Sequence, residues 1–307
     1  YTRMLALLAT ACPSFSLGQA KSRFGSDARS QFAAALPSSD RAFELAVLLA
    51  AEERPEDCVA SISEEIDAGI STLVEKCQAR ISLAAIVGGD PKNPKSIATA
   101  VSRVLFGSGA PDDAGEEAFF RGSSQTDYYD PRNSYLDCVL ERRQGIPITL
   151  SLVYAEVCGR LGLEMVGLNT PRHLLIAPAD RETPFVVDPF ERGALLSIDD
   201  AAQQVANNAG HGNVAAGRAL LQSLRARPMT AQMWASRMLR NLRANHQAQD
   251  DVVRTLGAAE RLRLVSRAAP GASTPMEQLD CGVQLAYCVW QLKWEERRDE
   301  ARAMAER

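Results

Sequence analysis

Two runs of apolar residues in the middle of the chain recur at helical spacing. The first lies on one face of residues 136–143, and the second recurs every three to four residues from 150 to 161. Gly145 ends the first run, and Pro147 suits the first turn of a new helix, where an N–H group would have no partner. The pattern therefore predicts two short helices that meet at a tight Gly-Ile-Pro corner.

The spacing of apolar residues changes after Gly162. Three short runs, partly β-branched, occupy residues 163–168, 173–176 and 184–188, and turn-prone residues separate them. We therefore predict three antiparallel strands. A buried helix followed by a small sheet makes an α+β core.

Outside this core the pattern is mostly helical. Apolar residues at helical spacing run from 31 to about 121, with polar breaks, and again from 230. Residues 207–217, rich in Asn, Gly and Ala, are typical of a linker. Residues 107–115 are typical of a mobile insertion. We predict a targeting or disordered segment at 1–30, a helical lobe at 31–125, the core at 126–205, a linker at 206–229 and a helical region at 230–307.

Composition excludes several functional classes. With 307 residues, 46% hydrophobic and 23% charged, we expect a soluble globular protein with an ample core. The net charge of −4 disfavours a nucleic-acid surface, and no apolar run could cross a bilayer. Seven cysteines without CxxC spacing and three dispersed histidines predict no metal site, no disulfide scaffold and no cofactor.

The first 30 residues differ in kind from the rest. The chain opens with Tyr1 and has a short apolar run at 5–11, followed by serines and basic residues with Asp27 as the only acid. These features fit an organellar transit segment or the apolar part of a secretory signal, and a frayed N-terminus fits them as well. A transit segment would place the protein in a plastid or another organelle; otherwise we expect it in the cytoplasm.

His173 lies in one predicted strand, and Asp188-Pro189 ends the next. This order resembles the transglutaminase-like superfamily, whose papain-related core has a Cys at a helix N-terminus, a His in the following strand region and an Asp-Pro one strand later. The resemblance implies that the thiol is the nucleophile, the imidazole takes its proton and the carboxylate holds the imidazole tautomer.

The nucleophile of that superfamily has no counterpart here. The usual interval before Gly162 reaches Pro147, which has no nucleophilic atom. Thr149 and Ser151 are the hydroxyls in the first turn or so of the predicted helix. Cys158 lies on the order of 16 Å further along the helix at ~1.5 Å per residue, so it is a poor substitute.

A narrower resemblance accounts for the proline. The run NSYLDCVLERRQGIPITLSLVYAEVCGRLGL, preceded by DYYDPR and followed by HLLI and VVDPF, is similar to Sir-B type transglutaminase-like proteins, the bacterial invasion-regulator family and its eukaryotic relatives. The resemblance implies that the Gly-Ile-Pro corner replaces the cysteine and that a tetratricopeptide-like helical tail follows. The family has Pro-Gly-His-Phe where this chain has Pro171-Arg172-His173-Leu174. Because Arg172 replaces the glycine, a tight turn at this position is in doubt.

Three roles remain open for His173 and Asp188. They could form an inherited structural hydrogen bond, an altered catalytic site that uses Thr149, Ser151 or a partner's group, or a binding site in the same cleft. The candidate cleft residues are Arg172, Pro147, Arg143 and Asn133. With His173, Arg172 could meet an acidic or carbonyl-bearing ligand. A buried Arg143 would need a carboxylate partner.

Two functional hypotheses follow. The favoured one is a non-catalytic transglutaminase-like protein, a pseudoenzyme that serves as a protein-interaction or regulatory module and binds a protein partner through its C-terminal helices. We expect deletion of residues 230–307 to remove partner binding while the core stays folded. The alternative is a papain-like hydrolase or acyltransferase with an unorthodox nucleophile.

Overall fold

The structure is a computed structural model that describes seven stretches of the chain. They are residues 25–37, 41–86, 88–107, 119–124, 126–210, 212–272 and 274–305. The described part is an α+β fold with eleven α-helices and a four-stranded antiparallel sheet, which confirms the predicted fold class. The predicted targeting segment up to residue 24 and the predicted insertion from residue 108 lie outside the described residues.

Four helices form the N-terminal lobe. They are α1 (Ser26–Ala35), α2 (Ala42–Glu52), α3 (Val59–Ile86) and α4 (Pro94–Phe106). In α3, Ile62, Ile66 and Ile70 recur every four residues and are all buried. Asn93 caps α4, because its side-chain oxygen accepts from the amide of Lys95 at 2.9 Å. The predicted helical character of this region is confirmed.

The two central helices meet at the predicted corner. Strand β1 (Arg121–Gly122) and a 3₁₀ turn (Pro131–Asn133) precede α5 (Leu136–Arg142), β2 (Gln144–Gly145) and α6 (Pro147–Arg160). Strands β1 and β2 pair in parallel, a contact between distant segments that was not predicted. The helix–corner–helix prediction is confirmed.

Arg143 differs from its predicted role. It does not extend the apolar face of α5, because it follows the helix as its C-cap in the left-handed region, with φ of 50°. Its guanidinium lies 5.5 Å from the centre of the Phe120 ring, a cation–π contact. The half-buried Arg143 therefore closes the corner through its backbone and an aromatic contact.

The sheet is an antiparallel meander. Its strands, in spatial order, are β3 (Met165–Leu168), β4 (Leu175–Pro178), β5 (Phe185–Asp188) and β6 (Ala194–Ser197). The three predicted strands are confirmed, although His173 lies in the turn before β4. Strand β6 was not predicted, because the adjacent residues Leu195 and Leu196 break the alternation that marks a half-buried strand.

Two helices follow the sheet. They are α7 (Ile198–Asn208) and α8 (Val214–Ala226). Ser197 caps α7, since its hydroxyl accepts from the amide of Asp200 at 3.1 Å. The predicted linker at 206–229 instead contains α8. A Cβ at Gly217 would lie 2.2 Å from the carbonyl oxygen of Ala202, so this glycine allows α7 and α8 to pack closely.

The C-terminal region contains three long helices. They are α9 (Ala231–Ala248), α10 (Val252–Ala268) and α11 (Pro275–Ala305). The predicted apolar stripe of α9 is confirmed, since Trp234, Met238 and Leu242 are buried in the main core. No described helix combines the length and hydropathy needed to span a bilayer.

Candidate functional site

The His173 and Asp188 side chains meet at the sheet, as the order of motifs predicted. Asp188 ends β5, and His173 lies in the turn that leads into β4. The imidazole Nε2 is 2.9 Å from Oδ1 and 2.8 Å from Oδ2 of the carboxylate. This contact fixes the imidazole on its Nε2 side.

Asp188 accepts hydrogen bonds from several other groups. Its Oδ1 accepts from the amides of Phe190 and Glu191 at 3.1 and 3.2 Å, and its Oδ2 accepts from Nε2 of Gln204 at 2.7 Å. The residue is only 1% exposed. Burial raises the pKa of the carboxyl, but the hydrogen bonds from His173 and Gln204 outweigh it, so the pKa lies below its ordinary value. Asp188 is therefore an anionic centre that joins β5, its following turn and α7.

The turn that carries His173 is tight despite its arginine. Arg172 has φ of 58°, the left-handed conformation expected for the family's glycine, and its side chain is exposed. The carbonyl of His173 accepts from the Thr170 hydroxyl at 2.9 Å and from Nη2 of Arg237 on α9 at 2.7 Å. The doubt about a tight turn at Arg172 was therefore unfounded, because two hydrogen bonds to the His173 carbonyl hold the turn.

Sequence reasoning missed Gln204 and Arg237. Both lie on helices outside the three motifs, and both reach the His173–Asp188 pair or its backbone from a distance in sequence. Helical periodicity gives no indication that either polar side chain reaches the pair. The spacing of the motifs carries no signal for either contact.

Thr149 is fully buried and bonded within the corner. Its hydroxyl lies 2.8 Å from the carbonyl oxygen of Asn133 and 3.1 Å from that of Ile146, and it accepts from the Ile146 amide at 3.2 Å. Asn133 is buried too, and its side-chain amide donates to the carbonyl of Asp127 at 2.7 Å. The hydrogen bonds of Thr149 and Asn133 therefore hold the start of α6 against the preceding turn.

Ser151 is also fully buried, and its hydroxyl has no hydrogen-bond partner among the described residues. Pro147 is half-buried at the first position of α6. In the described part of the chain, neither a hydroxyl nor a thiol hydrogen-bonds the His173 ring. The structure thus joins His173 to Asp188 but not to Thr149 or Ser151.

Alanine variants of the two hydroxyl residues are expected to differ in stability. Thr149→Ala should lower the free energy of unfolding by about 1–2 kcal/mol, because it leaves buried groups of Asn133 and Ile146 unpaired. Ser151→Ala should change it by less than about 0.5 kcal/mol, or raise it, because a buried hydroxyl without a partner is removed. Urea unfolding of both variants measures the difference. Equal losses would contradict these roles.

Burial makes several of the described cysteines poor nucleophiles. Burial raises the pKa of the Cys158 thiol well above its ordinary value, and burial raises the pKa of Cys138 to about 12. Of the six described cysteines only Cys58 is exposed. No cluster of potential metal ligands occurs among the residues that the structure describes.

A large groove lies away from this pair. It is a groove of 1310 Å³ between the 3₁₀ turn, α5 and the end of α9, and its walls include Tyr135 and His246. His246 is 3% exposed, and its Nε2 lies 3.1 Å from the Tyr135 hydroxyl. Burial lowers the pKa of His246. The nearby carboxylates of Glu53 and Asp251 partly oppose this shift, and the Arg254 guanidinium adds to it.

The lowered pKa of His246 predicts a pH-dependent stability. Below its ordinary value of 6.5 the unfolded chain binds a proton that the folded chain does not yet bind, so the free energy of unfolding should fall as pH decreases below 6.5. The slope from one group is at most about 1.4 kcal/mol per pH unit. Urea unfolding between pH 7.5 and about 5 should give a shallower dependence for His246→Gln than for the native chain. Parallel curves would contradict the prediction.

Comparison with known proteins shows the family of this chain. The model of the transglutaminase-like superfamily matches residues 64–240, more than half of the chain. A UPF0162 protein of Xylella fastidiosa is 37% identical over 136 residues, which are 44% of this chain and 47% of that protein. The chain thus spans about half the length of such curated relatives.

Two further relatives extend the comparison. A UPF0162 protein of Pseudomonas aeruginosa is 32% identical over 133 residues, 43% of this chain and 46% of that protein. F-box only protein 21 of Mus musculus is 35% identical over 89 residues, 26% of this chain and 14% of that protein. No solved structure matches the chain. The family match and the His173–Asp188 geometry together lead to one conclusion: this chain belongs to the transglutaminase-like superfamily.

Proposed function

We propose that this chain is a non-catalytic transglutaminase-like protein that acts as a protein-interaction or regulatory module. The observation that carries the proposal is the start of α6. Pro147 occupies the position where the superfamily resemblance expects the thiol, and the neighbouring Thr149 hydroxyl is fully buried in hydrogen bonds to Asn133 and Ile146. A nucleophile must reach both a base and a substrate, and these contacts oppose both.

The hydrogen bonds of Asp188 support a structural role for the pair. In catalysis such a carboxylate orients the imidazole and stabilises the imidazolium that forms. Here the carboxylate also accepts from Gln204 and from two backbone amides, so it ties β5 to α7 and to the next turn. In this proposal His173 and Asp188 are retained because the sheet depends on their hydrogen bonds.

An exposed apolar stripe on α11 supports the proposal that the C-terminal helices bind a protein partner. Half of the large exposed hydrophobic side chains among the described residues lie on this one helix. They are Met276, Leu279, Val283, Tyr287 and Trp290, which are 47–72% exposed. At 3.6 residues per turn these positions fall within an arc of about 80°. The opposite face of α11 already packs against the body through Cys281, Leu285 and Cys288.

The chemistry of the stripe indicates its partner. Residues 281–292 contain no charged residue, and Trp290 is 60% exposed. A long stripe one helix wide, uncharged between residues 281 and 292, suits the apolar face of an amphipathic helix. We therefore propose that the protein partner presents such a helix.

The test of this proposal is site-specific photocrosslinking in cells. A photoreactive residue at Tyr287 or Trp290 should crosslink one protein, and the crosslinked peptide should have apolar residues at helical spacing. The same residue at Leu83, which is 65% exposed on α3, provides the matched control. Val283→Glu should abolish the crosslink while leaving thermal unfolding almost unchanged, because the side chain is half exposed. Equal crosslinking from position 83, or an unaffected crosslink in Val283→Glu, would reject the proposal.

The finer family assignment is part of the same proposal. The Gly-Ile-Pro corner and the DYYDPR, HLLI and VVDPF motifs support a Sir-B type protein. The consecutive packing of α9, α10 and α11 supports a tetratricopeptide-like region. Against it, 44 residues separate the first residues of α9 and α11, whereas a tetratricopeptide repeat takes about 34.

The retained imidazole–carboxylate geometry favours one alternative, a hydrolase or acyltransferase with an unorthodox nucleophile. It requires that Thr149→Ala or Ser151→Ala abolish an amide- or ester-cleaving activity of the purified chain. Unchanged turnover in both variants would eliminate this alternative. Loss of turnover in a variant that still folds would overturn the non-catalytic proposal.

A further inference from the structure

The apolar stripe on α11 has a symmetric spacing. Its five members, Met276, Leu279, Val283, Tyr287 and Trp290, follow one another at intervals of three, four, four and three residues. This order of intervals is the same when it is read from either end, with Val283 at the middle. An antiparallel second copy of α11 therefore presents its own stripe at matching intervals, and a two-fold axis passes between the two Val283 side chains.

The side chains of the stripe change from aliphatic to aromatic along the helix. Met276 and Leu279 precede the midpoint, whereas Tyr287 and Trp290 follow it. Antiparallel pairing places Met276 opposite Trp290 of the second copy, where a thioether contact with an aromatic ring is favourable. It also places Leu279 opposite Tyr287 of the second copy. Parallel pairing would instead put each aromatic ring against its own equivalent, so the order of side chains favours the antiparallel arrangement.

Val283 has the smallest side chain of the five. Two packed helices cross at an angle, so they are closest at the crossing point and diverge on either side of it. The two-fold axis puts the crossing point at Val283, and the larger side chains lie where the helices are further apart. The sizes along the stripe thus match a crossing of two identical helices.

The acidic residues in the first turns of α11 are already paired. Glu277 forms an ion pair with Arg240 of α9, and Asp280 forms one with Arg243 of α9. The guanidinium groups reduce the repulsion between these carboxylates and those of a second copy. The ion pairs also limit rotation of α11 about its own axis, so the stripe stays on the outer face.

The area of the stripe fits a small, reversible interface. Its five side chains are 47–72% exposed. A large aromatic side chain buries about 150–250 Å², so half of each member amounts to roughly 100 Å² and the stripe to roughly 500 Å² per copy. Two copies bury about 1,000 Å² in all, at the lower limit of specific protein interfaces. An interface of this size suits a monomer–dimer equilibrium of folded chains rather than an obligate dimer.

We infer that the partner at this stripe is a second copy of the chain, with the two copies of α11 packed antiparallel about a two-fold axis at Val283. The inference rests on the interaction function proposed above and names the partner of the same surface, since α11 is itself a helix with an exposed apolar stripe. A two-fold contact occupies both stripes, so assembly stops at the dimer.

Sedimentation equilibrium of the purified full chain measures this assembly. The chain should show a reversible monomer–dimer equilibrium between micromolar and millimolar concentration. Val283→Glu places two carboxylates against each other at the axis, so it should weaken dimerisation at least about tenfold. Leu83→Glu, at a position that is 65% exposed on α3, is the matched control and should dimerise like the native chain. A chain that stays monomeric, or a dimer that Val283→Glu leaves intact, would overturn the inference.

Disulfide trapping tests the antiparallel register. In a chain that carries Cys12→Ser and Cys58→Ser, Val283→Cys should give a covalent dimer on air oxidation, because the axis brings the two thiols within reach of each other. Trp290→Cys in the same chain should not, because position 290 lies opposite position 276. The two thiols would then be about 21 Å apart along the helix at ~1.5 Å per residue. A covalent dimer that forms as readily from Trp290→Cys would reject this pairing.

Photocrosslinking in cells from Tyr287 separates this inference from the function on which it rests. A crosslinked product of twice the chain mass, joined through the α11 peptide of both copies, supports the inference and the interaction function together. A crosslink to a different protein, with a purified chain that stays monomeric, overturns the inference and leaves the interaction function in place. The absence of both the dimer and any crosslink contradicts both.

Discussion

A chain that ends at residue 229 is expected to lose cooperative folding, whereas a chain that ends at residue 274 keeps it. The reason is that α9 belongs to the main core. Trp234 is 5% exposed and lies so close to the sheet that a Cβ at Gly167 would be 2.5 Å from its ring. Met238 and Leu239 are fully buried. Burial of each side chain of this size contributes about 1.5–3 kcal/mol. The total free energy lost when several are removed exceeds the typical stability of a domain.

Polar contacts of α9 strengthen this expectation. Arg237 donates to the carbonyl of His173, His246 contacts the Tyr135 hydroxyl, and Nε2 of Gln232 donates to the carbonyl of Leu36 at 2.7 Å. Deletion of residues 230–307 is therefore a poor test of partner binding, because we now expect it to unfold the core. Deletion from residue 275 removes only α11 and its stripe.

Thermal unfolding followed by circular dichroism tests the two truncations. The chain ending at 274 should show a cooperative transition at a reduced midpoint, since α11 covers part of α10. The chain ending at 229 should show no cooperative transition. A native-like transition in the shorter chain would mean that the sheet and the N-terminal lobe fold without α9.

Asp188→Ala is expected to lower the free energy of unfolding by about 3 kcal/mol or more, because each buried donor left without an acceptor costs about 1–3 kcal/mol. The variant leaves the Gln204 amide, two backbone N–H groups and the His173 ring without their acceptor. Asp188→Asn keeps the shape and one acceptor oxygen, so it should lose less. Urea unfolding at neutral pH gives both values.

Glu182→Ala provides the matched control, because Glu182 is an exposed carboxylate in the turn before β5. Its effect should stay within about 0.5 kcal/mol. A similarly small loss in Asp188→Ala would show that the sheet does not depend on this carboxylate. In that case the His173–Asp188 pair would not have a structural role.

The sequence predicted those parts of the fold that local patterns determine. Pro147 and Gly145 mark the corner, Ser197 marks the start of α7, and the apolar runs mark β3, β4 and β5, because each signal comes from residues close together in the chain. The resemblance to the transglutaminase-like superfamily also implied the His173–Asp188 pairing.

The remaining features depend on contacts between distant segments. From the sequence, Gly217 indicates a flexible segment. In the structure it lies in a helix, where the nearby Ala202 carbonyl leaves no room for a larger side chain. Arg143 and Arg172 adopt left-handed backbone conformations that local propensity assigns to glycine. The groove combines residues separated by more than 100 positions, so no spacing in the sequence could indicate it.

Tyr154 of α6 connects three of these distant segments. Its buried hydroxyl donates to the carbonyl of Ala98 at 2.7 Å and lies 3.0 Å from the Ser102 hydroxyl, which donates to the carbonyl of Gly193 at 2.7 Å. These contacts close loops of 52, 56 and 91 residues. Loop closure costs entropy before such bonds form, so the network should assemble late in folding. Contacts absent from the transition state slow unfolding rather than speed folding, and Tyr154 should thus govern how long the native state persists.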